Sequence, residues 1–322
     1  MIAMASLSEP CPVGRFAPTP SGRMHLGNVF CALLAWASAR SRKGKIILRI
    51  EDLDLERSPR HYADQLEADL EWLGLSFDEG GSAGGPHQPY YQSERFSIYG
   101  DCLQRLEQTS EIYPCFCSRA SLHAASAPHL SDGRVIYPGT CRGLSPEEVR
   151  ERGKLRKPAS RIRVPVETVS FTDGVQGVFS AFLPADCGDF VIRRADGVYA
   201  YQLAVVADDG LMGVNQVVRG RDLLESTPIQ IWLFQKLGFP VPEFYHIPLL
   251  LDPAGNRLSK RDQSLDLSAL QQRFSPEDIV GLLAFLAGQI PRRGRMTPEE
   301  LAEIFRWEKV PKGDIRLPAD IL

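Results

Sequence analysis

Two short stretches, far apart in the chain, carry residue types suited to holding phosphate. The first is Arg15–Asn28, RFAPTPSGRMHLGN. It enters extended, breaks at two prolines and Ser21-Gly22, and presents His25 and Gly27 ahead of an apolar run with helical spacing (Val29, Phe30, Leu33, Leu34, Trp36, Ala37). A glycine-punctuated turn feeding a helix N-terminus offers backbone N–H groups and a positive dipole end to an anion. His25 adds a donor, and Gly27 lets a flat base approach the backbone with no Cβ between them. A loop histidine can equally cap or pack, so both roles stay open. The second stretch is Arg257-Leu258-Ser259-Lys260-Arg261, a cationic run after a turn at Pro253-Ala254-Gly255-Asn256.

Three further constellations carry chemistry. Glu51 opens an acidic cluster, Glu51-Asp52-Leu53-Asp54, after the apolar run KIILRI; at a strand's carboxyl end it can receive an amino group, though solvated loop carboxylates look the same. Arg219 ends another apolar run, where its fork of donors suits a carboxylate, against the plainer reading of a surface salt bridge. Cys115, Cys117 and Cys141 are soft ligands from a Cys-x-Cys knuckle and a distant turn. Zinc takes four ligands, so Tyr137, His123, His129 or water would complete the set; buried thiols without metal are the alternative. Between Arg142 and Arg163 lies the densest basic stretch, suited to a polyanion or to a solvated helix surface.

The elements that must position these residues alternate strand and helix through the first 75 residues, an α/β pattern with a parallel sheet. Ser58-Pro59 reads as N-cap and N1 of a helix carrying Tyr62, Leu66, Leu70 and Leu73, stopped by Gly74. Gly80–Pro89 reads as a mobile surface loop. Helices are expected from Ser93 to Leu106 and from Ser226 and Pro228 onward to Gly238, and two more open at Ser275-Pro276-Glu277 and Thr297-Pro298-Glu299. Hairpin strands are expected at Val164–Phe171 and Gly177–Phe182. The expected organisation is a leader at 1–12, a first catalytic half at 13–110, an insertion at 111–195, a second half at 196–250, and a loop plus helical region at 251–322.

Composition excludes several classes. The chain has 322 residues, 43% hydrophobic and 24% charged, as in a soluble globular protein. Its net charge of −3 speaks against a general nucleic-acid coat protein, so an RNA partner needs a local basic face. Seven cysteines, an odd number, fit reduced thiols better than a disulfide framework. The run Ile279–Ile290 is too short to span a bilayer, and the first residues lack a signal-peptide pattern; a cytoplasmic monomer with no membrane partner is expected.

The segment around His25 resembles the HIGH motif, and Arg257–Arg261 the KMSKS motif, of class I aminoacyl-tRNA synthetases, with flanking residues similar to the glutamyl branch. The resemblance implies a ligase on a Rossmann-like (HUP) parallel sheet, with an inserted zinc-bearing acceptor-type subdomain and a short helical stem-contact region. It implies His25 and Lys260 as catalytic residues. It implies ATP contacts by His25, Gly27, Asn28, Arg257, Leu258, Ser259 and Lys260, with Mg²⁺ accompanying ATP. L-Glutamate would be held by Arg15, Phe16, Ala17, Pro18, Thr19, Glu51, Tyr201 and Arg219. Arg257, Leu258 and Arg261 depart from KMSKS, but the second lysine is kept as Lys260, and a lysine on a flexible loop can follow charge onto pyrophosphate. Ordinary glutamyl enzymes build an anticodon-reading domain beyond this loop; here 61 residues follow Arg261. Discriminating glutamyl enzymes also carry asparagine where this chain has Val205, which would remove a polar contact from the amino-acid pocket. Together with the Cys-x-Cys knuckle, these features resemble the glutamyl-Q tRNA(Asp) synthetases, truncated paralogues whose zinc ligands correspond to Cys115, Cys117, Tyr137 and Cys141. That resemblance implies transfer of glutamate to queuosine in tRNA(Asp). The rivals are a short synthetase charging a 3′ end, a non-catalytic zinc RNA-binding paralogue, and a small-molecule adenylate-forming ligase.

Overall fold

The computed structural model describes residues 11–118, 136–258 and 266–318. His123, His129, Ser259, Lys260 and almost all of the expected leader lie outside the described residues.

Five parallel strands form the central sheet. They are β1 (Val13–Phe16), β2 (Lys45–Leu48), β3 (Glu79–Gly80), β9 (Gln216–Gly220) and β10 (Glu243–Ile247), in the order β10-β9-β1-β2-β3. The chain runs from β1 outward to β2 and β3, and later returns to lay β9 and β10 on the other side of β1. The order therefore reverses between β1 and β9, and a crevice opens at their carboxyl ends, where open parallel sheets take their ligands. Helix α1 (Leu26–Ser41) follows β1 and is apolar on nearly every face, so it is buried almost throughout.

Helix α2 (Arg60–Trp72) begins one residue later than the sequence suggests. Pro59 occupies the N-cap position with no side-chain cap, and the Ser58 hydroxyl is buried without capping anything. The expected surface loop at Gly80–Pro89 is corrected at its first two residues, which are buried, while 82–89 are largely exposed. Gly80 belongs to β3 (φ 112°), and a Cβ there would stand 1.9 Å from the Leu48 carbonyl oxygen. Glycine is there because two backbones touch.

After α3 (Phe96–Thr109) the chain leaves the parallel sheet. Strands β4 (Ile112–Cys115), β5 (Ala159–Ile162) and β8 (Phe190–Arg193) form an antiparallel sheet in the order β4-β5-β8, with α4 (Pro146–Leu155) in the connection between β4 and β5. Strands β6 (Thr168–Asp173) and β7 (Gly177–Phe182) make a hairpin whose turn reaches back to β10, where Gly174 N–H donates to the Phe244 carbonyl at 2.8 Å. Helix α5 (Tyr201–Leu211) returns to the parallel sheet ahead of β9, and α6 (Thr227–Lys236) links β9 to β10. Helices α7 (Leu267–Gln271), α8 (Pro276–Leu286) and α9 (Pro298–Ile304) follow. The last two open with the Ser275 and Thr297 capping boxes that their sequences announce. No described helix is long and apolar enough to cross a membrane.

Beneath the crevice the core is ionic. Arg49, just past β2 and fully buried, donates to Asp209 of α5 at 2.6 Å and to Glu51 at 3.2 Å, and lies 3.6 Å from Asp208. Asp208 also accepts from Arg95 (2.6 Å), Gln92 (2.8 Å) and Tyr99 (2.9 Å). The carboxylates around Arg49 hold its proton more firmly than in water, despite burial. Replacing Arg49 with Met takes the shared cation from three buried carboxylates, of which Asp208 keeps Arg95 and Asp209 keeps Arg15 while Glu51 loses its donor, so we expect a loss of about 3–5 kcal/mol in chemical denaturation. A loss below about 1 kcal/mol would show that the cluster does not hold the sheet to α5.

Candidate active site

The crevice is a cleft of about 600 Å³. Arg15, Phe16, Ala17, Pro18 and Thr19 line it from the end of β1, His25, Gly27 and Asn28 from the start of α1, Glu51 from the loop after β2, Tyr201 from α5, Arg219 from β9, and Arg257 and Leu258 from the later turn. Every cleft residue named from the sequence that lies among the described residues therefore faces one space. Lys260 is not among them, but its flanks are: Leu258 lines the cleft, Asp266 bridges to His25, and Leu267 N–H donates to the Met24 carbonyl at 2.8 Å. The two signature stretches thus meet.

His25 caps α1 as well as facing the cleft. Its Nδ1 accepts from Gly27 N–H at 3.1 Å, and Asn28 Oδ1 accepts from His25 N–H at 3.2 Å. Because Nδ1 accepts, the neutral ring carries its proton on Nε2, the atom that can donate to a phosphate oxygen. The expectation of open N–H groups at this helix start needs correction, since Gly27 and Asn28 N–H are both satisfied within the turn. The reason for Gly27 shifts too. A Cβ there would lie 3.0 Å from His25 Cε1, so glycine makes room for the ring that caps it.

The amino-acid end is built from charge. Arg15 donates to the Val218 carbonyl at 2.8 Å and lies 3.5 Å from Asp209. Burial pushes the Glu51 carboxyl above the ordinary range, with Arg49 and Arg15 opposing. Burial, then the Glu51 charge, raises the Tyr201 phenol, which stays a donor. Cys31 faces the same cleft, and burial pushes its thiol up to about 11, so it offers no thiolate nucleophile at neutral pH. Arg219 is buried; Nε donates to His246 Nε2 and one terminal nitrogen to Thr227 Oγ1, both at 2.9 Å, while NH1 has no hydrogen-bond partner among the described residues. The surface salt-bridge alternative for this residue is thereby overturned. Val205 does not line the cleft: it is buried in the apolar core one turn behind Tyr201, so the expected pocket contact is absent at this position.

Sequence reasoning overlooked Arg49, Asp208, Asp209, Thr227 and His246. Two adjacent aspartates in the otherwise apolar YQLAVVADDGL were a usable signal, because buried carboxylates need partners.

Some distance along the chain, Cys115, Cys117 and Cys141 bring their sulfurs within 4.8 Å of one another. Sulfurs at metal distance from one tetrahedral centre stand about 3.8 Å apart; Cys117 and Cys141 are separated by 3.7 Å. The Tyr137 hydroxyl lies 3.6 Å from Cys115 and 3.9 Å from Cys117, and accepts from the Cys141 N–H at 2.7 Å. Arg161 stacks 3.7 Å over the Tyr137 ring and donates to the Asp189 carbonyl, and Arg142 grips the Asp189 carboxylate at 2.7 and 2.9 Å. Arg163 pairs with Glu111 and Lys154 with Glu151. The basic stretch is therefore partly spent inside the fold, and Arg150, Arg156 and Lys157 are left among its exposed cations.

Residues 13–316 match the family model for tRNA synthetases class I (E and Q), catalytic domain. A glutamyl-Q tRNA(Asp) synthetase from Symbiobacterium thermophilum is 53% identical over 96% of this chain and 97% of its own length. One from Nitratidesulfovibrio vulgaris is 47% identical over 96% of each. Among solved structures, a glutamate tRNA ligase from Elizabethkingia meningosepticum in complex with its amino acid superposes with a TM-score of 0.83 at 29% identity, covering 97% of this chain and 68% of that one. The chain belongs to the class I tRNA synthetases of the E and Q branch, in the family of the glutamyl-Q tRNA(Asp) synthetases.

If the imidazole and Gly27 share one interaction, Gly27→Ala and His25→Ala each cost about 1 kcal/mol in urea unfolding, and the double variant costs no more than either alone. Additive losses would separate the ring from the cap.

Proposed function

We propose that this chain activates L-glutamate with ATP and passes the glutamyl group to the cyclopentenediol of queuosine in the anticodon loop of tRNA(Asp). The observation that carries the reading is the pairing, in one cleft, of a buried carboxylate (Glu51) with a buried arginine (Arg219) whose NH1 has no hydrogen-bond partner among the described residues, beside the imidazole at the start of α1. Such a site suits a small zwitterion with a second carboxylate. The names of the relatives point to the same substrate.

In the proposed chemistry a glutamate α-carboxylate oxygen attacks the α-phosphorus of ATP and the bond to pyrophosphate breaks. Glu51 meets the substrate ammonium, Arg219 its side-chain carboxylate, and Arg15, Tyr201 and the 16–19 backbone close the pocket. His25 Nε2–H and Lys260 offset the charge that spreads over the phosphates, while Gly27, Asn28, Arg257, Leu258 and Ser259 seat the nucleotide. Mg²⁺ would come with ATP and supply charge neutralisation. A queuosine hydroxyl then attacks the acyl carbon and AMP leaves. Positioning carries the rate, since the enzyme forms no covalent bond. The exposed cations left on α4 and after it suit contact with the RNA backbone.

We further propose that Cys115, Cys117, Tyr137 and Cys141 hold a structural Zn²⁺, which would crosslink the knuckle to the turn; the separations given above fit tetrahedral ligation. Metal analysis should find about one zinc per chain. Cys141→Ser should abolish it and remove the thiolate-to-metal band of the Co²⁺-substituted protein. Full metal content in Cys141→Ser would overturn the assignment.

The function is tested by nucleoside mass analysis of tRNA(Asp) after incubation with enzyme, ATP and glutamate. A glutamyl-queuosine product that survives trimming of the acceptor end is expected; an ester lost on trimming would favour 3′ charging. Glutamate-dependent ATP–pyrophosphate exchange without tRNA should accompany it. Glu51 must be ionised to hold an ammonium, and its pKa is raised, so glutamate affinity is full at high pH and falls on acidification before the ordinary carboxylate range is reached. Glu51→Gln should raise the glutamate KM at least about tenfold and flatten that dependence. A wild-type KM with an unchanged acid limb would discard this pocket.

A further inference from the structure

Arg219 is set in place by groups that come from outside its own strand. We propose that Asp173 and His246 are positioning residues for substrate recognition: the hairpin turn after β6 fixes the His246 tautomer, and the tautomer fixes the guanidinium that receives the amino acid's distal carboxylate. This rests on the proposed role of Arg219 in holding glutamate.

The geometry is directional. Asp173 and His246 are both fully enclosed. Asp173 Oδ1 accepts from the backbone N–H groups of Val175 (2.9 Å), Gln176 (2.8 Å) and His246 (3.1 Å), which fixes the carboxylate in the turn. Its Oδ2 lies 2.5 Å from His246 Nδ1. A carboxylate held ionised by these donors accepts only, so Nδ1 must carry the ring proton. Burial, followed by the nearby Arg219 charge, lowers the His246 pKa to about 4 against the pull of Asp173, so the ring is neutral in the working range. Nε2 is then an obligatory acceptor, and Arg219 Nε–H donates to it at 2.9 Å. Thr227 Oγ1 holds a second guanidinium nitrogen. Those two bonds fix the plane of the guanidinium; NH1 is buried with no hydrogen-bond partner among the described residues, and Arg219 lines the cleft.

The opposite tautomer would aim an N–H at Arg219 Nε–H. Two donors would then face each other in a dry site, and the guanidinium would have to turn away. Asp173→Asn tests this with little other disturbance. The amide oxygen keeps the three backbone bonds given above, while the atom facing Nδ1, which also lies 3.2 Å from the His246 N–H, changes from an acceptor to a donor. His246→Gln keeps an acceptor near the Nε2 position without a tautomer to set, whereas His246→Phe removes it.

The experiment measures glutamate and ATP KM and kcat in pyrophosphate exchange, with melting curves, for Asp173→Asn, His246→Gln, His246→Phe and Arg219→Ala. Arg219→Ala should raise the glutamate KM strongly; if it does not, the pocket reading itself fails. With that in hand, Asp173→Asn and His246→Phe should raise the glutamate KM at least about tenfold, with ATP KM unchanged, and His246→Gln should recover most of the loss. The double variant Asp173→Asn/His246→Gln should match His246→Gln alone, because no tautomer remains to be set. Equal glutamate KM in wild type and folded Asp173→Asn overturns the proposal, as does a loss in glutamate and ATP KM alike that tracks the melting temperature across all variants. A variant that fails to melt cooperatively is replaced in the comparison by His246→Gln against His246→Phe, whose equality would also overturn it.

Discussion

The cleft stands on an ion cluster almost sealed from solvent. Arg49, Arg95 and Arg15 face Asp208, Asp209 and Glu51, and each of the six is less than a tenth exposed. Burying isolated charges costs several kcal/mol apiece, so such a set persists only when both signs are matched and the remaining donors and acceptors are filled. That requirement ties β1, the segment after β2, the start of α3 and α5 into one body, because Asp208 and Asp209 lie on α5 while Arg15, Arg49 and Arg95 come from the other three. It also explains why Glu51 sits where it does. The residue is anchored at 3.2 Å by Arg49 yet borders the cleft, so the cluster reaches the ligand through one carboxylate while the rest stays sealed.

The same constraint separates what the sequence disclosed from what it withheld. Signals that act within a few residues were readable: the HLGN turn into α1, the apolar run of β2, and the Ser275 and Thr297 caps with proline behind them. Side chains whose role depends on a partner far along the chain were not. Arg49 meets Asp209 across 160 positions, and Asp173 meets His246 across 73; no local period marks either. Arg142 and Arg161 looked like groups for a polyanion because composition counts charge without knowing that Asp189 lies folded beneath them. Gly80 looked like a loop residue because glycine serves both loose chain and tight contact, and only the neighbour, Leu48, distinguishes the two. Ser58 failed as a cap for a related reason: the serine–proline pair fits a helix start, but the backbone began the helix at Arg60 and left the hydroxyl behind.

The knuckle shows how the excursion from the sheet is organised by a second buried acid. Asp189 accepts from Tyr113 at 2.5 Å, from Arg142 and from the Val164 N–H at 3.1 Å, so a single carboxylate binds β4, the turn bearing Cys141 and the chain after β5. Its carbonyl also holds Arg161 against the Tyr137 ring. The three sulfurs are thus gathered beside a carboxylate scaffold, and Cys141 Sγ itself accepts from the Phe116 N–H at 3.4 Å. Asp208 does the corresponding work under the cleft.

Two fully or nearly buried arginines, Arg49 and Arg219, finally show how one side chain serves architecture in one place and recognition in another. Carboxylates engage Arg49 directly, and its charge is spent on them. Neutral acceptors hold Arg219: an imidazole on Nε and a hydroxyl on a terminal nitrogen. Asp173 stands one ring further off, so the guanidinium is oriented from the side of a negative charge that cannot occupy its fork. A carboxylate placed directly on Arg219 would have made a second Arg49, electrostatically satisfied and useless to an incoming acid. Interposing the neutral ring keeps direction while leaving the positive charge, which otherwise faces the Phe244 ring, without a bonded carboxylate among the described residues, and in a low-dielectric cleft that is the condition under which a ligand carboxylate gains most from arriving.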